Sequence, residues 1–251
     1  MKDLASLGST TAKNGFINEI FVIDSFNNWQ TNTMAQEWLK DMSYTIEEIE
    51  SVNAIKIKGS FKADVQVQIS IYIKLKKLSD IQNIQVKLAS NSSGFNQIDK
   101  RWVDKYQELW EIPEDITKLL KYYTGEIPPY TNTVRDKRRM FLDEMNKNEQ
   151  LSLINFLKNN QSLIVSDILK GRGKFAAEWM LVILKSQPDN IKWIIKPMNF
   201  CLNYFGNGEV TITKQGNIKI GNISIQRKGG DAGRKTAQML QFKINPCLLF
   251  Q

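Results

Sequence analysis

The chain of 251 residues contains no histidine. That absence removes the commonest general base and the commonest neutral metal ligand, and with them the Ser-His and Cys-His routes to nucleophilic hydrolysis. Cysteine is nearly absent too. Cys201 and Cys247 are far apart and outside metal-ligand spacing, so zinc is excluded and a free, buried pair in a reducing compartment is expected. No run of about 18 apolar residues occurs, so nothing reads as a membrane span. The opening Met1-Lys-Asp-Leu-Ala-Ser-Leu7 lacks the apolar core of a signal peptide. Internal repeats and low-complexity linkers are missing as well. Acidic residues are in deficit: 26 Asp and Glu stand against 34 Lys and Arg, giving a net charge of +8.

What is present begins with that charge, which calls for a polyanionic partner or an anionic surface. It is unevenly placed. Residues 211–251 carry seven basic side chains against the one acid Asp231, and a second cluster is formed by Arg135, Lys137, Arg138 and Arg139. Hydrophobic content of 42% is that of a folded globular protein.

Chemistry is suggested by one spacing. From Val65 the sequence alternates, with Val65, Val67, Ile69, Ile71 and Ile73 on one face and Gln66, Gln68, Ser70 and Tyr72 on the other. This is the period of a half-buried strand, with Asp64 in phase with its polar face. Ile84-Gln85-Val86-Lys87-Leu88 repeats the pattern, predicting Ile84, Val86 and Leu88 inward and Gln85 and Lys87 outward. Lys74 to Asp80 suits the intervening turn. Two neighbouring strands would then bring Asp64, Gln85 and Lys87 together. A carboxylate, an amide oxygen and a carbonyl make an oxygen-only set for Mg²⁺, which usually takes one or two carboxylates. On this reading Asp64, Gln85 and the Val86 carbonyl hold the metal, and Lys87 orients the attacking water and stabilises charge on a phosphoryl centre. Taken alone the spacing is common, and an ordinary hairpin with solvated charges also satisfies it.

Longer blocks add specificity: Thr11-Ala-Lys-Asn-Gly-Phe16, Asn83-Ile-Gln-Val-Lys-Leu88, Gly94-Phe-Asn-Gln-Ile-Asp-Lys100, Thr124-Gly-Glu-Ile-Pro-Pro-Tyr130, Asp136-Lys-Arg-Arg-Met-Phe141, Gly171-Arg-Gly-Lys-Phe-Ala-Ala-Glu-Trp179 and Gln226-Arg-Lys-Gly-Gly-Asp231. With these, nearly end to end, the chain resembles the HinP-type type II restriction endonucleases of the PD-(D/E)xK superfamily, which cut GCGC and are related to Msp-type enzymes. It departs at Ala63, where a serine is expected before the catalytic aspartate.

The resemblance implies an α/β (α+β) restriction-endonuclease-like core, a mixed central sheet flanked by helices, with a basic β-rich C-terminal part. It implies double-stranded DNA as partner, a Mg²⁺ cofactor with Mn²⁺ as substitute, a cytoplasmic, bacterial setting, and a cognate DNA methyltransferase encoded alongside rather than bound. Glu19, on the first predicted helix, is then a direct or indirect participant at the metal site. Phe95 and Gln97 approach the minor groove with Lys100 beside them, because an aromatic wedge unstacks a base step and an amide reads base edges. Arg227, Lys228 and Asp231 are expected at or near bases, and Arg234 and Lys235 on phosphates. Gly171-Arg172-Gly173 lacks the Lys-Ser/Thr ending of a nucleotide P-loop and reads as a turn. Two alternatives stay open on the residues themselves: a repair or junction-resolving nuclease, and a non-catalytic DNA-binding protein. A palindromic target is compatible with a homodimer or a monomer.

The coarse pattern predicts helices over 14–29 (apolar stripe Phe16, Ile20, Ile23, Phe26) and 33–50 (Trp38 and Leu39 buried, Thr45 as a cap). Strands are predicted over 52–58, 65–73 and 83–89. Residues 98–123 read as largely helical with a break near Pro113, 125–130 as a loop, 137–159 as a helix, 162–169 as a strand, and 175–185 as either. Short strands with Asn207-Gly208 and Gly216-Asn217 turns follow, including 218–225. The organisation expected is a single endonuclease domain: a catalytic core over about 1–105, a helical region over about 106–160 and a basic recognition part over about 161–251.

Overall fold

A computed structural model describes residues 17–251 except 60, 74–75, 188–189 and 231–233. The chain forms two compact units and crosses between them four times. Unit I takes its described residues from 17–96, 169–201 and 245–251, and unit II from 97–168 and 202–244. Among the described residues no helix is long and apolar enough to cross a membrane.

Unit I is built on a five-stranded mixed sheet in the order β1-β2-β3-β5-β6, comprising β1 (Ile49–Lys56), β2 (Val65–Ile73), β3 (Lys76–Ala89), β5 (Trp179–Gln187) and β6 (Asn190–Pro197). All pairs are antiparallel except β3 with β5, which run parallel with Ile84 opposite Trp179. Helices α1 (17–27) and α2 (Thr33–Asp41) cover it. Their buried side chains Val22, Phe26, Trp38 and Leu39 join Val52, Ala54, Val65, Val67, Ile84, Leu181 and Ile183 in one core. The edge-on rings of Trp38 and Trp193, with centroids 6.0 Å apart, tie helix to sheet. Asn32 caps α2 by accepting from the Ala35 N–H at 3.0 Å.

Unit II holds a second five-stranded sheet in the order β4-β10-β9-β8-β7, formed by β4 (Asn96–Arg101), β7 (Val210–Ile212), β8 (Ile218–Ile220), β9 (Ile223–Arg227) and β10 (Leu240–Ile244). The helices are α3 (Val103–Trp110), α4 (Glu114–Thr124), α5 (Lys147–Asn159), α6 (Gln161–Leu169) and α7 (Met198–Gly206), the last two continuing into unit I. Tyr106 stacks on Trp110 at 4.5 Å, and Phe242 of β10 meets both rings. Tyr123 of α4 donates to the Ile225 carbonyl of β9 at 2.8 Å, fixing helix to sheet.

The mixed sheet with helices and the separate β-rich basic part were both predicted. Several elements differ in detail. The stripe of α1 that faces the core is Asn18, Val22, Ser25 and Phe26, while Ile20 is exposed and Phe16 lies outside the described residues. The helix expected to run to residue 50 stops at Asp41. Thr45 precedes a 3-10 turn and makes no side-chain cap there, and Ile49 already pairs with Ile71. Ser79 and Asp80 are paired within β3 rather than turning, and the side chains of Ile69, Ile71 and Ile73 lie outside the described residues. β4 replaces the start of the helix expected at 98, and the helix expected from 137 begins at Lys147, where Asn146 and Glu149 form a capping box. Residues 162–169 are helical, not a strand: Ile164, Val165 and Ile168 are buried at i, i+1 and i+4. The predicted strand 218–225 is a hairpin, β8 to β9, turning at Gly221 with φ 52°.

Candidate active site

β2 and β3 part where chemistry was expected. Their ladder ends with Val65 opposite Ile84. One residue further on, the Asp64 N–H donates to the Ile84 carbonyl at 2.9 Å, and its carboxylate Oδ2 accepts from the Val86 N–H at 2.8 Å. An aspartate side chain thus takes over a backbone ladder position. This fixes the carboxylate beside the next two residues of β3, Val86 and Lys87. The Asp64 carbonyl accepts from the Ile57 N–H at 3.1 Å, closing the β1–β2 connection over the same place.

Gln85 departs from the prediction. It was assigned to the open face, yet it is 2% exposed, while Val86 and Leu88 are only partly buried against the core. The reason lies in the segment entering β2: the Gln85 Nε2 donates to the Lys62 carbonyl at 3.2 Å, so that segment covers it. Its Oε1 is buried with no hydrogen-bond partner. Such an atom costs about 1–3 kcal/mol if left unsatisfied. A cation that takes oxygen ligands would supply such a partner.

Electrostatics point to the same place. Burial pushes the Asp64 carboxyl above the ordinary carboxylate range. The Lys87 ammonium and the Val86 N–H pull it back, Glu19 raises it and Lys56 lowers it. Glu19 therefore lies within electrostatic reach of Asp64, and it is ion-paired with Lys56 Nζ at 2.6 Å. Lys56 ends β1 opposite Val65. Sequence reasoning missed it, because an isolated lysine at a strand end carries no motif. Among the described residues no three His, Cys, Asp or Glu side chains converge on one point. A metal here would depend on the neutral Gln85 and Val86 oxygens beside Asp64.

The proposed DNA probes are accessible. In unit I, Phe95 is 56% exposed at the end of a built loop. Asn91 Oδ1 accepts from the Ser93 N–H at 3.1 Å, Asn245 donates to the Ser92 carbonyl at 2.8 Å, and Asn96 donates to the Leu88 carbonyl at 2.7 Å. The ring does not return to the core. In unit II, Gln97 accepts from the buried Gln241 at 2.7 Å, and Lys100 is exposed on β4.

Also in unit II, Arg227, Arg234 and Lys235 line one cavity of about 440 Å³ together with Asp136, Arg138 and Arg139. Two basic clusters nearly 90 residues apart in sequence are therefore one site. No local pattern joins them. Lys228, half-buried, donates its N–H to the Met239 carbonyl at 2.8 Å, and Asp231 lies outside the described residues.

Comparison with known proteins agrees with this geometry. The family model described as R.HinP1I restriction endonuclease matches residues 42–250. No curated protein matches the chain. Among solved structures the fold is similar to restriction endonuclease MspI in complex with its cognate DNA, with a TM-score of 0.66 and 13% identity over 95% of this chain and 92% of that one. The family match spans β1 to the last turn and includes Asp64, Gln85 and Lys87, and the chain belongs to the R.HinP1I restriction endonuclease family.

Proposed function

We propose that this type II restriction endonuclease cleaves double-stranded DNA at GCGC, with Mg²⁺ held at the fork of β2 and β3 and Mn²⁺ able to replace it. The observations that carry the metal assignment are the orphaned, buried Gln85 Oε1 and the Asp64 carboxylate held on the next residue's N–H. Asp64, Gln85 and the Val86 carbonyl would form an all-oxygen set suited to a hard cation. When bound, the ion neutralises charge on the scissile phosphate and lowers the pKa of water.

The chain's own groups do the rest. Val86 N–H holds the Asp64 carboxylate, so its orientation does not relax when the phosphate arrives. Lys87 directs the attacking water and stabilises the developing negative charge. Glu19 and Lys56 form a charge pair that tunes Asp64. Hydrolysis would leave 5′-phosphate and 3′-hydroxyl ends. Phe95, Gln97 and Lys100 approach the minor groove. Arg227, Lys228, Asp231, Arg234 and Lys235 supply contacts to bases and phosphates. The two units serve one reaction and together count as a single endonuclease domain.

Digestion of unmethylated plasmid DNA with and without Mg²⁺, followed by sequencing of the ends, tests the reading. Mg²⁺-dependent fragments ending at GCGC are expected. Intact plasmid alongside cleavage of a mismatched or branched duplex would replace it with a repair or junction-resolving activity.

A further inference from the structure

The cavity in unit II is cationic beyond what its own structure needs. Among the described residues five basic side chains, Arg138, Arg139, Arg227, Arg234 and Lys235, face it with one carboxylate, Asp136. Asp136 is already committed. It accepts from Arg138 Nε and Nη2, both at 2.9 Å, and from the Arg138 N–H at 3.0 Å, and Arg139 Nε lies 3.9 Å away. Arg139 is fixed from the other side by the Phe141 ring, 3.9 Å from its guanidinium carbon.

Arg227 is held differently. Its Nε donates to the Ala237 carbonyl at 3.1 Å, which sets the plane of the guanidinium. Its Nη1 is buried and has no hydrogen-bond partner. Both Arg139 and Arg227 have their charged forms disfavoured, first by burial and then by neighbouring arginines. The rim is open: Gly229 and Gly230 have φ of 65° and 61°, and a Cβ at either would meet nothing within 4 Å. A guanidinium held at its Nε and lining an open cavity rich in positive charge is a preorganised anion receptor.

We propose that this cavity receives one phosphodiester of the DNA backbone, with the Arg227 guanidinium, set in place through its Nε, as its fixed donor and Arg138 and Arg139 as its charge. This rests on the reading of the protein as a DNA-cutting enzyme, and it moves Arg227 from base contact to phosphate contact. A guanine edge presents two acceptors but no net charge, so it would leave the repulsion among the arginines in place. A phosphate removes it. The site therefore anchors the duplex without reading sequence.

The test uses the full chain and two variants. Arg138→Ala removes a side chain that is 75% exposed and carries little risk to the fold. Arg227→Gln removes the fixed donor. Binding of a GCGC duplex and of a scrambled duplex is followed by fluorescence anisotropy across a salt series without divalent metal. In parallel, the wild-type protein is titrated with inorganic phosphate while the arginine side-chain NMR signals are observed. Each variant should weaken both duplexes by the same factor, about 5- to 10-fold, and lower the slope of log K against log salt by about one. Phosphate alone should shift the Arg227 Nε signal. A loss confined to the GCGC duplex, with the slope unchanged, would assign the pocket to base reading and overturn the proposal. Unchanged binding to both duplexes, or no phosphate shift, would overturn it as well. Wild-type protein that shows these salt effects and cuts nothing would instead remove the nuclease reading and leave the phosphate site standing.

Discussion

The two units bury their polar groups for opposite ends. In unit I a partly buried aspartate and a buried glutamine present acceptor oxygens, Asp64 with Oδ2 on Val86 N–H and Gln85 with an unpaired Oε1. In unit II a half-buried arginine presents an unpaired donor, Arg227 Nη1, among other cations. Each orphan is costly in the free protein, since a buried polar group without a partner loses its hydration for nothing. On the proposed reading each unit takes the complementary ligand: a cation in unit I, an anion in unit II. A metal-dependent nuclease needs both, one to activate phosphate and water, the other to hold a polyanion near them.

If that division is right, a substitution in one unit should move one readout and spare the other. Outside the fork itself, the largest such effect is expected at Glu19. Glu19→Gln removes the partner of Lys56 and a negative charge that acts on Asp64. Cleavage or apparent metal affinity should fall by roughly 10- to 100-fold, the range for residues that orient metal ligands, while DNA binding measured without metal stays within about twofold. Metal-titrated cleavage rates check this, and an equal loss in both readouts would show that the helix, not the charge, had been damaged.

A smaller effect is expected at Phe95, which belongs to unit I and is proposed to contact DNA. Because the ring is 56% exposed, Phe95→Ala should leave the melting temperature nearly unchanged. A base–aromatic stacking contact is worth about 1–3 kcal/mol, so GCGC cleavage at subsaturating DNA should fall about 10-fold. Fluorescence of 2-aminopurine placed in the site would report whether unstacking is lost with it.

The smallest effect lies in the unit II cavity. Hydrogen bonds from Arg138 first, then its charge and that of Arg139, hold the Asp136 carboxyl down at about 2. A carboxyl depressed below its unfolded value of about 3.9 stabilises the fold above that pH, and the contribution fades as pH falls toward about 2. Asp136→Asn should therefore lower the melting temperature slightly at neutral pH, with the difference shrinking in acid. A difference that grows on acidification would contradict the ion pairing.

The same comparison shows what could be read from residues alone. The fork of β2 and β3, the proposed catalytic site, was legible because its determinants are local: a period-two strand, an aspartate at its start and a polar-x-Lys pair on the next strand. Gln85 was expected to be open and is covered instead, because its burial depends on the segment around Lys62, which no alternation encodes. Lys56 was invisible for a similar reason, since it reaches Glu19 only through the β1–β2 register. The cavity of unit II could not be seen at all. Asp136 and Arg227 meet only after α4 and β9 are packed, with Tyr123 bonded to Ile225. Helix α6 was misread because a short apolar run such as Leu163-Ile164-Val165 fits strand and helix alike, and only its length and partners decide.

The most direct test of the account is a paired measurement on Asp64→Asn, which keeps the side-chain acceptor for the Val86 N–H and removes the charge. Mg²⁺-dependent cleavage of GCGC DNA and metal-free binding of the same duplex would be measured on one preparation. Cleavage should fall by roughly 10³-fold or more, with binding unchanged or slightly tighter because one negative charge is gone. Near-normal cleavage by this variant would contradict the account, because the fork of β2 and β3 would then not be the place where the metal acts.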